Sequence, residues 1–294
     1  MKPAAFAYER AASLSEALQW LHEHPDAKVL AGGQSLIPLM NFRLSRPQEL
    51  LDINSLSELS YVEQTGNSLR LGSLVHHQEL HLHPVVKEVC PVLSEAAGHV
   101  GHWAIRNRGT LGGSLVHADP ASELPAVMVA LKAQFNLASA EGTRTVSASD
   151  FYLGFLTTDI RSDELLVSVE IPIVNGVSYG FQEYARRPGD FALAGAIAEI
   201  QNADSDAADA NGSANGNGSA NGIGKQVGAV TWFGIGGAPI REEVEFLTDD
   251  AARMDQLKSI VDTLDLVEEG LYRKQLAVNA AEQAYLRAMR RVPV

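Results

Sequence analysis

Residues 101–125, GHWAIRNRGTLGGSLVHADPASELP, mix glycines, hydroxyls, two arginines and two acids with almost no apolar periodicity. Thr110 and Ser114 flank the pair Gly112 and Gly113. Glycine admits close backbone approach and positive φ without steric penalty. Bare amides beside hydroxyls form a cradle for phosphate oxygens. Asp119, Pro120 and Glu123 follow, then a helical pattern through Leu124, Val127, Met128 and Leu131. The stretch reads as a loop that opens into a helix. On its own such a glycine pair is more often an ordinary turn.

The chain carries a second segment of the same kind. Leu30, Ala31, Gly32, Gly33, Gln34, Ser35 and Leu36 follow a short apolar run and precede Ile37-Pro38-Leu39-Met40. The order is strand, glycine turn, helix start, and two such turns can share the two phosphates of a dinucleotide. Neither segment is GxGxxG, so this is not a Rossmann fingerprint. Neither is followed by GK[ST], so neither is a P-loop.

Size and composition narrow the function classes. At 294 residues the chain can bury a large core and hold two domains. A net charge of −13 argues against nucleic acid and anionic membrane as partners. No apolar run approaches the roughly 18 residues of a membrane span, and the N-terminal residues lack a long apolar core, so no secretory signal is read there. A cytoplasmic location is expected. The single cysteine, Cys90, excludes internal disulfides. It also excludes an iron–sulfur cluster held by this chain alone, which takes about four thiolates. Cys90 shares a helical face with Val86, Val89 and Leu93 and is expected to be buried and inert.

Along the chain, Ser13 and Glu16 form a capping box before a helix through Leu14, Ala17, Leu18 and Leu21. Strands at Val29 and at 50–53 complete a small parallel βαβ unit, giving a first lobe over about 1–55. A hairpin over 61–71 opens a second lobe, about 56–173. A short helix at 74–82 carries His76, His77 and His81, with His83 just beyond. His77 and His81 lie four apart, so a metal site has to be weighed. With no matching carboxylate or cysteine cluster, a solvated or capping role is preferred. One amphipathic helix is expected over 84–98, and antiparallel strands at 135–137, 144–146 and 165–171. Strands at 178–187, 191–200 and 227–235 and helices at 250–264 and 271–291 follow. Between them, residues 202–224 repeat Asn, Gly, Ser, Ala and Asp without bulky apolar residues, which reads as a flexible loop.

AGGQSL, then IRNRGTLGGSLVHADPASELPAV about seventy residues later, resembles the FAD-binding medium subunit of the molybdenum hydroxylases, the group of bacterial carbon monoxide dehydrogenase and xanthine dehydrogenase. The resemblance extends through Arg186-Arg187-Pro188-Gly189-Asp190-Phe191-Ala192 and the turn from Phe233 to Pro239. It implies an α+β fold: a two-lobed PCMH-type FAD-binding domain over 1–175, then a C-terminal antiparallel sheet with packed helices over 176–294.

By the same resemblance, Ala31 to Leu36 and Thr110, Gly112, Gly113 and Ser114 match the family's two FAD-phosphate loops. Glu123 matches an acid near the adenosine or ribityl hydroxyls. Asp119 either shares that task or caps the following helix. Gln182 and Tyr184 align with residues near the flavin ring. Arg106 and Arg108 either bind phosphate or, as preferred, pair with Asp119, Glu123 or a partner subunit. No catalytic residue and no metal ligand is expected on this chain. The family places molybdenum cofactor on a large subunit and two [2Fe–2S] clusters on a small one, in a dimer of heterotrimers. This chain then passes electrons from the clusters to an external acceptor. The rival readings are a self-sufficient PCMH-type flavin oxidoreductase and a non-enzymatic nucleotide-binding module. The substrate of the complex is not encoded in this chain.

Overall fold

The computed structural model describes residues 1–201, 225–267 and 270–291. The proposed flexible loop at 202–224 lies outside the described residues.

The first lobe runs β1 (Ala7–Arg10), α1 (Leu14–Glu23), β2 (Lys28–Leu30), α2 (Leu36–Asn41) and β3 (Glu49–Asp52). Its three strands form a parallel sheet in the order β1-β3-β2. The expected βαβ unit is there, with β1 added at its edge. All four residues of β1 are exposed, so its sequence has no apolar alternation to read. The cap forms at Ser13, whose Oγ accepts from the Glu16 amide, while the Glu16 carboxylate reaches one residue past the cap to accept from the Ala12 amide.

The second lobe opens with the hairpin β4 (Val62–Thr65) and β5 (Ser68–Gly72), then α3 (His77–Leu82), α4 (Pro84–Val89) and α5 (Pro91–His99). The single helix expected over 84–98 is two, broken at Cys90. Pro91 has no amide to continue the helix and pushes Cys90 into an extended φ of −145°. Burial raises the Cys90 thiol to about 12, so it stays protonated, as expected of an inert core cysteine. Next come α6 (Trp103–Arg106), α7 (Leu111–His117), α8 (Glu123–Ala130), β6 (Gln134–Ser139) and β7 (Gly142–Ser147). The lobe ends with α9 (Ala148–Phe151), the small hairpin β8 (Tyr152–Gly154) and β9 (Thr157–Thr158), and β10 (Leu165–Pro172). Its main sheet is antiparallel, ordered β4-β5-β10-β6-β7.

The C-terminal part is an antiparallel sheet of β11 (Val177–Ala185), β12 (Ala192–Gln201), β13 (Lys225–Phe233) and β14 (Ile240–Leu247), covered by α10 (Asp250–Thr263) and α11 (Leu271–Met289). Strand β14 escapes a sequence reading because Glu242, Glu243 and Glu245 surround its two buried residues, Val244 and Phe246. One face of this sheet packs on α10 and α11 through Trp232, Phe246 and Ala281. The other face joins the second lobe's core through Phe181, Ile197 and Phe233. Helices α5 and α8 therefore lie between two sheets. All eight residues of α8 are buried, which explains a sequence that is apolar all round apart from Glu123.

Candidate functional site

The first glycine turn, residues 31–35, leaves the carboxyl end of β2, where ligands of open parallel sheets are commonly held. Gly33 has φ +69°, a left-handed conformation that glycine adopts freely. A side chain on Gly32 would fall 2.2 Å from the Arg108 carbonyl oxygen and 2.8 Å from Gly109 Cα. The two glycine segments, some seventy residues apart, are thus in backbone contact, and no residue larger than glycine fits between them. Asn54 fixes the turn by donating to the Ala31 carbonyl (2.9 Å) and to Asp52 Oδ1 (2.7 Å). Burial raises the Asp52 pKa, but hydrogen bonds from Tyr8 and Asn54 outweigh it and hold the group below the usual carboxylate range. Gln34 folds back, its amide donating to the Gly32 carbonyl (3.0 Å). Ser35 takes the N-cap position of α2 without a side-chain cap bond. The amides of Gly32, Gly33, Gln34 and Ser35 donate to no protein acceptor among the described residues. Backbone amides are strong donors that seek partners, so this turn is a ready anion cradle.

The second segment differs from its expected form. It is the first turn of α7, not a loop, and its amides are committed. Leu111 donates to the Val75 carbonyl (2.9 Å), Gly112 to the Ser73 carbonyl (2.8 Å), Gly113 to Thr110 Oγ1 (3.2 Å) and Ser114 to the Thr110 carbonyl (3.1 Å). Thr110 is a buried N-cap, and Gly112 is buried because a side chain there would strike Ser73. What reaches the surface is Gly113, whose missing side chain would meet only Thr110 Oγ1, and the half-buried Ser114. Amides for an anion therefore come from the first turn. The second supplies close approach and hydroxyl groups.

His77 holds this turn from beneath. Its Nε2 lies 2.9 Å from the Thr110 carbonyl and 3.0 Å from Ser114 Oγ. A carbonyl only accepts, so Nε2 carries the proton, and Nδ1 is buried without a partner. Burial drives the His77 pKa down to about 4, so the ring is neutral. His81 Nδ1 meets the Ser94 carbonyl at 2.9 Å. The solvated or capping role preferred for these two histidines is corrected: both are structural, and His77 supports the site. Among the described residues no group of three or more His, Cys, Asp or Glu is arranged to hold a metal.

Past α7, Asp119 Oδ1 accepts from the Ala121 amide (2.9 Å) and forms a turn; Ser122 takes the N-cap position of α8. The capping role considered for Asp119 is thereby corrected. Glu123 is the first residue of α8 and is 3% exposed. Among the described residues its carboxyl meets no other side chain by hydrogen bond and accepts only from its own backbone amide. Burial, then the charges of Glu183 and Asp119, raise its pKa to about 8. Glu183 on β11 faces the same seam. Its Oε1 pairs with His99 Nδ1 at 2.9 Å, while Oε2 is buried and unpartnered. Side chains alternate along a strand, so Gln182 and Tyr184 point the other way, and Tyr184 packs against the C-terminal core. The structure therefore brings Glu123 and Glu183 together but not Gln182 or Tyr184. Arg106 does not pair with Asp119 or Glu123, two of the partners its preferred reading offered; within the chain it donates to Gln78 Oε1 (3.0 Å) and to the Val100 and Gly101 carbonyls. Arg108 is exposed.

Sequence reasoning missed Glu183 and Asn54, and gave His77 another role, because their partners are distant in the chain. Alternation along the strand through Phe181 was the one available signal for Glu183.

These groups suit a dinucleotide. Four uncommitted amides match a pyrophosphate, and a side-chain-free surface at Gly113 admits it. The buried carboxyl of Glu123 and the unpartnered Oε2 of Glu183 match ligand hydroxyls.

The family profile described as the FAD binding domain in molybdopterin dehydrogenase matches residues 4–174. The chain is 41% identical over 201 residues to the glyceraldehyde dehydrogenase medium chain of Sulfolobus acidocaldarius, covering 68% of this chain and 72% of that one. It is 47% identical over 203 residues to caffeine dehydrogenase subunit beta of a Pseudomonas species, covering 68% and 69%. The fold superposes on quinoline 2-oxidoreductase from Pseudomonas putida 86 with a TM-score of 0.85, at 35% identity and 99% of both chains. It superposes on carbon monoxide dehydrogenase from Hydrogenophaga pseudoflava with a TM-score of 0.86, at 27% identity over the whole of both chains. The chain therefore belongs to the FAD-binding medium subunits of the molybdenum hydroxylases, as the FAD-carrying flavoprotein subunit of an oxidoreductase.

Proposed function

We propose that this chain is the electron-transfer subunit of a heteromeric molybdenum hydroxylase. It receives electrons from [2Fe–2S] clusters on a small companion subunit and delivers them to an external acceptor. Substrate is oxidised at a molybdenum centre on a large subunit, in a cytoplasmic dimer of heterotrimers. The FAD-binding domain comprises 1–175 and the C-terminal domain 176–294. The observation that supports the reading is the backbone contact between Gly32 and residues 108–109, which joins the two glycine segments, the first of them with four uncommitted amides.

Bound FAD supplies a group that gathers single electrons and releases them in pairs. The protein's own part is to hold and orient it. The amides of residues 32–35 bind the pyrophosphate, helped by the Ser35 and Ser114 hydroxyls. Leu30, Ala31 and Leu36 set the frame of that turn, and Thr110 and Gly112 the frame of the second. Glu123 and Glu183 accept hydroxyl hydrogen bonds in the seam, with Asp119 at its edge. The proposed place of Gln182 and Tyr184 beside the flavin ring rests on the family resemblance. A single thiol leaves this chain unable to hold a cluster of its own, which favours companions for the earlier electron steps.

The test is the flavin content of the purified chain. The reading expects one non-covalent FAD per chain, lost in Gly113→Val without loss of fold. Full flavin retention in that variant would defeat the site assignment.

A further inference from the structure

The first glycine turn contains two carbonyls that no backbone amide reaches. Among the described residues, neither the Ala31 nor the Gly32 carbonyl accepts from the main chain. Each is taken by a side-chain amide instead. Asn54 Nδ2 donates to the Ala31 carbonyl (2.9 Å), and Gln34 Nε2 donates to the Gly32 carbonyl (3.0 Å). A trans peptide unit is planar, so its N–H points opposite to the C=O of the preceding residue. No peptide bond among the described residues is cis. Holding the Ala31 carbonyl therefore aims the Gly32 amide the other way, and holding the Gly32 carbonyl aims the Gly33 amide. These are the first two of the four uncommitted amides of the cradle.

Asn54 is itself held. It lies two residues past β3 and is exposed, yet its Nδ2 is committed twice, to the Ala31 carbonyl and to Asp52 Oδ1 (2.7 Å). A carbonyl and an ionised carboxylate only accept, so the nitrogen end of the amide faces the turn. Asp52 Oδ1 also accepts from the Asn54 backbone amide (2.8 Å). Asp52 Oδ2 accepts from the Tyr8 hydroxyl. Tyr8 sits on the edge strand β1 with 52% of its surface in solvent, so its ring contributes little to the core. The hydrogen bonds thus run in one line from Tyr8 through Asp52 and Asn54 to the Ala31 carbonyl, across three separate segments of the first lobe.

We propose that Asn54 and Gln34 are positioning residues that aim the Gly32 and Gly33 amides at the FAD pyrophosphate, and that Tyr8 acts on cofactor affinity from outside the site, through Asp52 and Asn54. The proposal rests on the reading above that this turn binds FAD.

The experiment titrates the flavin-free, full-length chain with FAD and follows flavin fluorescence. Wild type is compared with Asn54→Leu, which keeps the size of the side chain and removes its donor, with Tyr8→Phe, which removes only the hydroxyl, and with the double variant. Gln19→Ala, on the exposed face of α1, is the control. Urea unfolding of each flavin-free chain is read in parallel. A hydrogen bond lost from an otherwise unpartnered carbonyl is about a tenfold change in an equilibrium constant. Asn54→Leu is therefore expected to weaken FAD binding about tenfold, and Tyr8→Phe, one step removed, about threefold. The double variant is expected to bind no more weakly than Asn54→Leu alone, because Tyr8 works through Asn54. Urea midpoints and the Gln19→Ala affinity are expected to stay near wild type. Wild-type affinity in Asn54→Leu, or losses that multiply in the double variant, would overturn the proposal and leave the cofactor reading intact. Loss of affinity together with a collapsed urea midpoint would overturn it as well, since Asn54 would then hold the fold and not the aim of the amides. A wild-type chain that binds no FAD removes the cofactor reading, and this proposal with it.

Discussion

Replacing Glu123 with Gln should raise the stability of the flavin-free protein at alkaline pH. The side chain is buried, and its pKa is moved from an ordinary 4.5 to about 8, first by burial and then by Glu183 and Asp119. The folded state therefore holds this proton more tightly than the unfolded chain does. Between pH 4.5 and 8 the folded state binds more protons, so stability falls as pH rises through that window. At about 1.4 kcal/mol per tenfold change, the full cost above pH 8 is on the order of 4–5 kcal/mol. From pH 5.5 to 8.5 wild type should lose roughly 3 kcal/mol through this group. His99, raised by its hydrogen bond to Glu183, loses stability in the same direction, so the comparison with the variant is what isolates Glu123. Gln is nearly isosteric and stays neutral. Urea unfolding of both proteins at the two pH values gives the answer. Glu123→Gln should show a much flatter dependence and be the more stable protein at pH 8.5. Equal slopes in both would refute the claim that a buried proton sits on this carboxyl.

Other substitutions separate site from scaffold. Gly113→Val should abolish flavin binding at a modest cost in melting temperature, since its side chain would fall 2.8 Å from Thr110 Oγ1 and displace that cap hydroxyl but meet nothing else; a large drop in melting temperature would show that the residue is structural. Gly32→Ala should instead destabilise the chain itself, because the added carbon lands on the Arg108 carbonyl, and calorimetry of the flavin-free form would detect it. His77→Ala should cost about 2–4 kcal/mol in urea unfolding by removing one of the two donors to the buried Thr110 carbonyl and opening a cavity. Arg253 is buried with a two-pronged bond to Glu282 (2.8 and 2.6 Å) between α10 and α11 and a further bond to Asp250 (2.7 Å), so Glu282→Ala should cost about 3 kcal/mol in urea unfolding.

Much of this architecture was legible in the sequence. The capping box at Ser13, the hairpin over β4 and β5, the apolar helix α8 and the two closing helices each follow from local chemistry. The pairing of the two glycine segments was legible too, and they meet in the fold. Their inner logic was not. Reading bare amides at TLGGS ignored that Thr110 caps its own helix and that Ser73 and Val75, far back in the chain, accept from Gly112 and Leu111. Strand β1 has no buried residue, and β14 hides two apolar residues among glutamates, so neither leaves a periodic trace. The break at Pro91 was visible as a proline inside a helical pattern. Glu183 and His77 owe their roles to partners 84 and 33 residues away, which spacing alone does not reveal.

The most direct test of the electron-transfer reading is rapid mixing of the assembled complex with its substrate while the spectra of clusters and flavin are followed. The reading expects the clusters to be reduced before the flavin. It expects FAD removal to stop delivery to the external acceptor while the clusters remain reducible by substrate. The isolated chain should oxidise no substrate, and turnover of an organic substrate by its own flavin would contradict the assignment and make it a self-sufficient flavoenzyme.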